Sequence, residues 1–323
     1  MIMKINKRPI FLFVFFWLIM GAIPAPPVMA KDTFPSKPIT IIVPFPPGGS
    51  TDVAARTMAV YIGKYLKTNV IISNMPGAGG VIGYTKGFQA PPDGYTLLAW
   101  NTLPPLLEEY KREVGYKTLK FTPLAAFSRD SAIIAVHLEG SKNFVDLVKQ
   151  AKAQTVNIGT TGQYTITGLQ GILMTADLSL KTNWVTFGGG AESLTSLAGK
   201  HIDAVMTLTG SAMPLTKAGK IIPLLIFADK RAPKYPTVPT PGELGYDMPI
   251  LASYTGIVGP PGMDKKIVKI LENAILQAAK HPDYVAWAEK VSTAESVLLP
   301  GAAYQQEIGR LAQVADKYKK FLK

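Results

Sequence analysis

Four times along this chain an apolar, largely β-branched run ends in a glycine-rich turn that opens a helical pattern, and this alternation constrains the fold more than any other feature. The turns are Pro47-Gly48-Gly49-Ser50-Thr51, Pro76-Gly77-Ala78-Gly79-Gly80, Gly159-Thr160-Thr161-Gly162 and Phe187-Gly188-Gly189-Gly190. Ile39 to Pro44 reads as a strand, and the helix after it, Val53 to Leu66, sets Ala54, Met58, Ile62 and Leu66 on one face. Val70 to Ser73 reads as a second, buried strand, and the Pro-Asp-Gly turn of "QAPPDGYTLLAW" introduces a third at Tyr95 to Trp100. Strand, turn and helix repeated in this order predict an α/β fold, a parallel sheet with helices on both faces.

The pattern changes between Phe121 and His137, where the apolar runs Leu124 to Phe127 and Ala132 to Val136 flank Ser128-Arg129-Asp130-Ser131. The chain is expected to cross there into a second lobe that alternates again. Its helices are Phe144 to Ala153, Thr165 to Ala176, Glu192 to Lys200 and Met213 to Lys217. Its strands are Val156 to Gly159, Trp184 to Phe187, Ile202 to Met206 and Ile221 to Ala228. "DKRAPKYPTVPTPGELGYDMP" reads as a long surface connection, Ser253 to Val258 as a return strand, and three helices finish the chain. The expected organisation is a signal peptide over 1–30, the N-terminal part of lobe 1 over 31–128, lobe 2 over 129–228, and the return connection with the C-terminal part of lobe 1 over 229–323. Two lobes joined by two crossings make a clamshell, hinged near Phe127 to Ala132 and Ala228 to Ser253.

Lys4, Lys7 and Arg8, the apolar stretch Ile10 to Ile23, and Val28-Met29-Ala30 before Lys31 have the order of an export signal cleaved after Ala30. The expected location is the periplasm of a Gram-negative cell. Removing the leader lowers the formal charge from +12 to +9. The remaining lysines are scattered along helices without interleaved aromatics, so nucleic acid is not an expected partner, and the charge suits small anions better. With no cysteine, disulfides, thiolate metal sites and cysteine nucleophiles are all excluded. His137, His201 and His281 are dispersed and no Gly-x-Ser-x-Gly elbow occurs, so neither a metal site nor catalysis is expected.

A glycine turn opening a helix is an anion cradle, because bare backbone N–H groups and the positive end of the helix dipole meet there. Tight strand-to-helix geometry alone would also require glycine. Phosphate is the weaker reading: none of the turns carries the lysine of a P-loop, and Ile82 stands where a dinucleotide fingerprint after Gly77-x-Gly79 needs glycine. A carboxylate fits better. A helix terminus contributes about 0.3–1 kcal/mol and a charge-assisted hydrogen bond about 1.5–3, whereas micromolar affinity needs about 8, so several donors must converge. Ser50, Thr51, Asn101, Thr102, Thr160, Thr161, Gln163 and Thr207 are neutral donors at strand ends, each also of a type that caps helices or closes turns.

Together "FPSKPITIIVPFPPGGSTDVAAR", "NMPGAGGVIG", "APPDGYTLL", "NIGTTG" and "AGKHIDAVM" resemble the periplasmic receptors of tripartite tricarboxylate transporters, the Bug family, over essentially the whole mature chain. The resemblance implies a two-lobed type II periplasmic binding protein with an interlobe ligand cleft, a monomer that binds a small organic carboxylate without a cofactor. It implies that integral membrane subunits of a tripartite transporter receive that ligand. An alternative is a sensory module presenting its bound carboxylate to a membrane sensor kinase. On the resemblance, Pro47, Gly48, Gly49 and Ser50 with Gly77, Ala78, Gly79 and Gly80 form the first-lobe side. Gly159, Thr160, Thr161, Gly162 and Gln163 face them, with Gly188, Gly189, Gly190, Ala191 and Thr207 alongside. Three positions depart from relatives: Phe187-Gly188-Gly189 replaces a Tyr-Lys-Gly turn, Gly168 a His, and Thr207 an Asp. Loss of that Asp argues against a ligand with an ammonium group, and the smaller wall suggests a bulkier acid.

Overall fold

The computed structural model describes residues 34–48, 50–162, 165–290 and 295–319. The leader over 1–30, Gly49 and Gln163 lie outside the described residues. Strand β1 (Ile39–Val43) pairs in parallel with β2 (Val70–Asn74) on one side and β3 (Thr96–Asn101) on the other. Helices α1 (Ser50–Leu66), α2 (Val81–Phe88) and α3 (Pro104–Lys111) follow these three strands in turn. β2 is an edge strand, not the buried strand expected; its Ile71 is 51% exposed, since only β1 pairs with it.

The two apolar runs read as flanking a crossing belong to one strand, β4 (Thr122–His137). Its first part, to Ser131, pairs antiparallel with β9 (Ala252–Gly259), which also pairs antiparallel with β3. From Ala132 its partners become β7 (Ala204–Leu208) and β8 (Ile221–Ile226). The polar Ser128-Arg129-Asp130-Ser131 segment sits where one set of partners gives way to the other. Asp130 accepts a hydrogen bond there from Thr209 Oγ1 at the start of α7 (Thr209–Lys217).

Beyond β4 the second half continues with α4 (Phe144–Ala153), β5 (Val156–Thr160), α5 (Ile166–Leu178), β6 (Thr182–Thr186) and α6 (Gly190–Ala198). Here β5 pairs in parallel with β6 and β7. The sheet is therefore mixed rather than parallel: two parallel wings flank an antiparallel centre, because β4 and β9 join the halves without a crossover helix.

After β9 come α8 (Lys265–Lys280), α9 (Pro282–Lys290), β10 (Glu295–Pro300) and α10 (Gly301–Tyr318). β10 was missed in the sequence: its alternate residues are half-buried against β4, but Glu295, Ser296 and Pro300 hide the apolar rhythm. One core is aromatic, with Tyr84, Trp100, Tyr116, Phe121 and Tyr304 packed together in the first half. A second core packs Leu169, Leu173 and Met174 of α5 with Ile158, Ala204 and Met206 and extends to Leu106 and Leu107 of α3 and Leu311 of α10. Each is built from the inward face of an element whose outward face is polar, the arrangement that the helical and strand periodicities encode.

Candidate functional site

A cleft of about 520 Å³ opens between the two halves of the sheet. Phe45, Thr51, Gly79, Asn101, Pro104, Glu108 and Ser253 line one wall, and Thr161, Thr165, Ile166 and Leu208 the other. A groove of about 790 Å³ runs along the outer edge beside β2, but it gathers none of the glycine turns. Among the described residues, no lysine or arginine lines the cleft.

On the first wall, Thr51 stands in the opening turn of α1 and donates through Oγ1 to Asn101 Oδ1 at 2.8 Å. Asn101 donates in turn to Thr255 Oγ1 at 3.1 Å, which fixes its amide at the end of β3. Thr102, one residue on, points away from the cleft; it is 1% exposed and donates to the Tyr254 carbonyl. Pro47 and Gly48 are exposed outside the lining. The Gly48 amide already donates to Asp52 Oδ2 at 2.9 Å. Asp52 also accepts from Arg56 Nε at 3.0 Å and from Asn74 Nδ2 at 2.8 Å. The Arg56 hydrogen bond leads these contacts in holding the Asp52 carboxyl down at about 2, against the cost of its burial.

The second turn is backbone bent for close approach. Gly77, Ala78, Gly79 and Gly80 all have positive φ, from 50° to 133°. A Cβ at Gly79 would lie 2.6 Å from Glu108 Oε1, and one at Gly80 would lie 2.7 Å from the Tyr84 ring, so both conformation and space require glycine.

The opposite wall is a threonine cluster. Thr165 caps α5, accepting from the Gly168 amide at 3.1 Å and donating to the Gly162 carbonyl at 2.6 Å. Thr167 Oγ1 lies 3.0–3.1 Å from the hydroxyls of Thr160, Thr161 and Thr165. Thr160 is buried beneath this cluster, whereas Thr161 reaches the cleft. Gly159 lies under Ile202 and Phe187, where a Cβ would meet them at 2.6 and 3.0 Å.

The fourth turn stands apart from the cleft lining. Its Gly188 amide donates to Glu192 Oε2 at 2.8 Å, and a Cβ at Gly190 would sit 3.4 Å from Thr207 Oγ1. Thr207 is fully buried with its hydroxyl unpartnered, and strand alternation sends its neighbour Leu208 into the cleft instead. Gly189 and Ala191 are likewise absent from the lining. Trp184 packs against Gly171 of α5 in a separate cavity, and Trp100 fills the aromatic core.

Of the predicted site residues, the cleft thus brings together Thr51, Gly79, Asn101 and Thr161. Sequence reasoning missed Phe45, Pro104, Glu108, Thr165, Ile166, Leu208 and Ser253. The helix-start threonine at 165 carried a capping signal, and Glu108 a Glu-x-x-x-Arg spacing with Arg112, but neither distinguishes a cleft residue from a surface one.

The sequence profile of the tripartite tricarboxylate transporter family receptor, TctC, matches residues 54–321. Protein BugT of Bordetella pertussis is 31% identical over 262 residues, covering 79% of each chain. A TctC solute-binding protein from Polaromonas superposes with a TM-score of 0.79 at 26% identity, covering 88% of this chain and 100% of that one. Rpa4515 of R. palustris, solved with adipate, has a TM-score of 0.71 at 25% identity over 88% of this chain and 98% of its own. The α/β fold expected from the sequence is thus that of solved solute-binding proteins, and the chain belongs to the tripartite tricarboxylate transporter receptor family, to which the Bug proteins belong.

Proposed function

We propose that this protein is a periplasmic receptor that captures a small organic carboxylate in the cleft and delivers it, chemically unchanged, to the integral membrane subunits of a tripartite transporter. The observation that carries this reading is a cleft whose two walls present hydroxyl and amide groups, from Thr51 and Asn101 on one side and Thr161 and Thr165 on the other, with no basic side chain among the described lining residues. Neutral donors converging from two walls can hold an anion while leaving it free to depart, as a carrier requires. The adipate held by the related Rpa4515 supports a carboxylate as the ligand class. Capture would close the walls by flexing about Ser131 and Ala132 of β4 and the connection over 229–251.

A thermal-shift panel of mono-, di- and tricarboxylates, amino acids and aromatic acids tests the reading. A true ligand at about 100 times its Kd stabilises the native state by about 2.7 kcal/mol and raises Tm accordingly. A panel without any shift contradicts it. Deleting the protein should abolish uptake of the identified acid while leaving induction of its genes intact.

A further inference from the structure

Glu108 carries the one formal charge in the cleft lining among the described residues. Its side chain is 10% exposed, and its two oxygens are used differently. Oε2 is held by both Nε, at 2.7 Å, and Nη2 of Arg112. Oε1 lies over the Gly79 α-carbon, with Lys111 Nζ 3.9 Å away in an ion pair longer than a hydrogen bond. Arg112 and Lys111 are 39% and 44% exposed, so the cations lie on the solvent side, where water and salt screen them. Glu108 itself lines the cleft. Across from it, Thr161, Thr165, Ile166 and Leu208 make an uncharged wall.

We propose that Glu108 determines specificity: the cleft selects a carboxylate that also bears an ammonium group over a dicarboxylate of the same length. This inference rests on the carboxylate-receptor reading above. The ammonium group meets Glu108 Oε1 in a charge-assisted hydrogen bond, and the ligand carboxylate turns to the Thr161 hydroxyl and the N–H groups that open α5. A second carboxylate placed at Glu108 meets like charge, the repulsive element by which binding sites reject wrong ligands. The absent acid at Thr207, which argued against an ammonium ligand, is thereby replaced by an acid from a different element, α3.

Calorimetric titration with length-matched pairs tests the proposal: 4-aminobutyrate against succinate, and 6-aminohexanoate against adipate. The wild-type protein should bind the amino member of at least one pair about tenfold or more tightly. Glu108→Gln, which keeps the shape and removes the charge, should shift that ratio about tenfold toward the dicarboxylate. Arg112→Gln, which leaves Glu108 in place and removes its cation, should widen the ratio. A wild-type preference for the dicarboxylates, or a ratio unchanged in both variants, overturns the role of Glu108 while leaving carboxylate binding intact. Binding of neither class at millimolar concentration, with a panel that gives no shift, contradicts this inference and the receptor reading together.

Discussion

The two walls of the cleft solve the same local problem, a strand ending in a glycine turn, with opposite chemistry. Around the first wall the chain brings its own acids: Asp52 takes the Gly48 amide just outside the lining, and Glu108 packs over Gly79. On the second, among the described residues, the turn after β5 gathers a cluster of hydroxyls, from Thr160, Thr161, Thr165 and Thr167. The turn after β6, outside the cleft, repeats the first arrangement, with Glu192 four residues beyond Gly188 just as Asp52 lies four beyond Gly48. A glycine turn at a helix start is thus available to an external anion only where no acid of the chain already packs on it. On the reading proposed above, α5 is the accepting side of the cleft, and the first wall reads the rest of the ligand.

The sharpest way to break this contrast is Gly79→Ala. Its φ of +70° disfavours any side chain, and the new methyl would meet the Glu108 carboxylate at 2.6 Å. The substitution should cost about 1–3 kcal/mol of stability and at least about tenfold in affinity, read by denaturant unfolding and by calorimetry. Next in size, Asp52→Asn removes charge from hydrogen bonds to Arg56, Asn74 and Gly48 and should cost about 1.5–3 kcal/mol at pH 7. Because the native carboxyl titrates near 2, below its ordinary value of 3.8, the wild type binds fewer protons folded than unfolded between those values. The Asp52 contribution is therefore complete above about pH 4 and lost as pH falls through 2. Unfolding curves across that window should converge for wild type and variant. The smallest stability effect is expected at Thr165→Ala, which removes the cap of α5 and should cost about 1 kcal/mol. If the second wall is the accepting one, the same change weakens carboxylate binding more than Thr51→Ala does.

Much of this was legible in the chain. The strand, turn and helix alternation predicted eight of the ten strands' positions to within a few residues, because each combines an apolar run with a glycine or proline stop. It failed at the centre, where two apolar runs separated by Ser128-Arg129-Asp130-Ser131 turned out to be one strand. Nothing local marks a strand that changes partners midway, since polar residues between two cores look like a loop. The glycine turns were visible, but which of them face the cleft depends on acids elsewhere. Asp52 and Glu192 could have been found from their spacing of four after a turn glycine. Glu108 could not, because it reaches Gly79 from α3, and only the packing of α3 against that turn joins them.

The most direct test is a crystal structure of the protein loaded with the tightest acid from the panel. The ligand carboxylate is predicted within hydrogen-bond reach of Thr161 or Thr165 and the first turn of α5, with no Arg or Lys side chain within 4 Å of it. A carboxylate gripped by a guanidinium fork, or seated in the turn between Pro47 and Thr51, would contradict a cleft that holds its anion by neutral groups of the second wall.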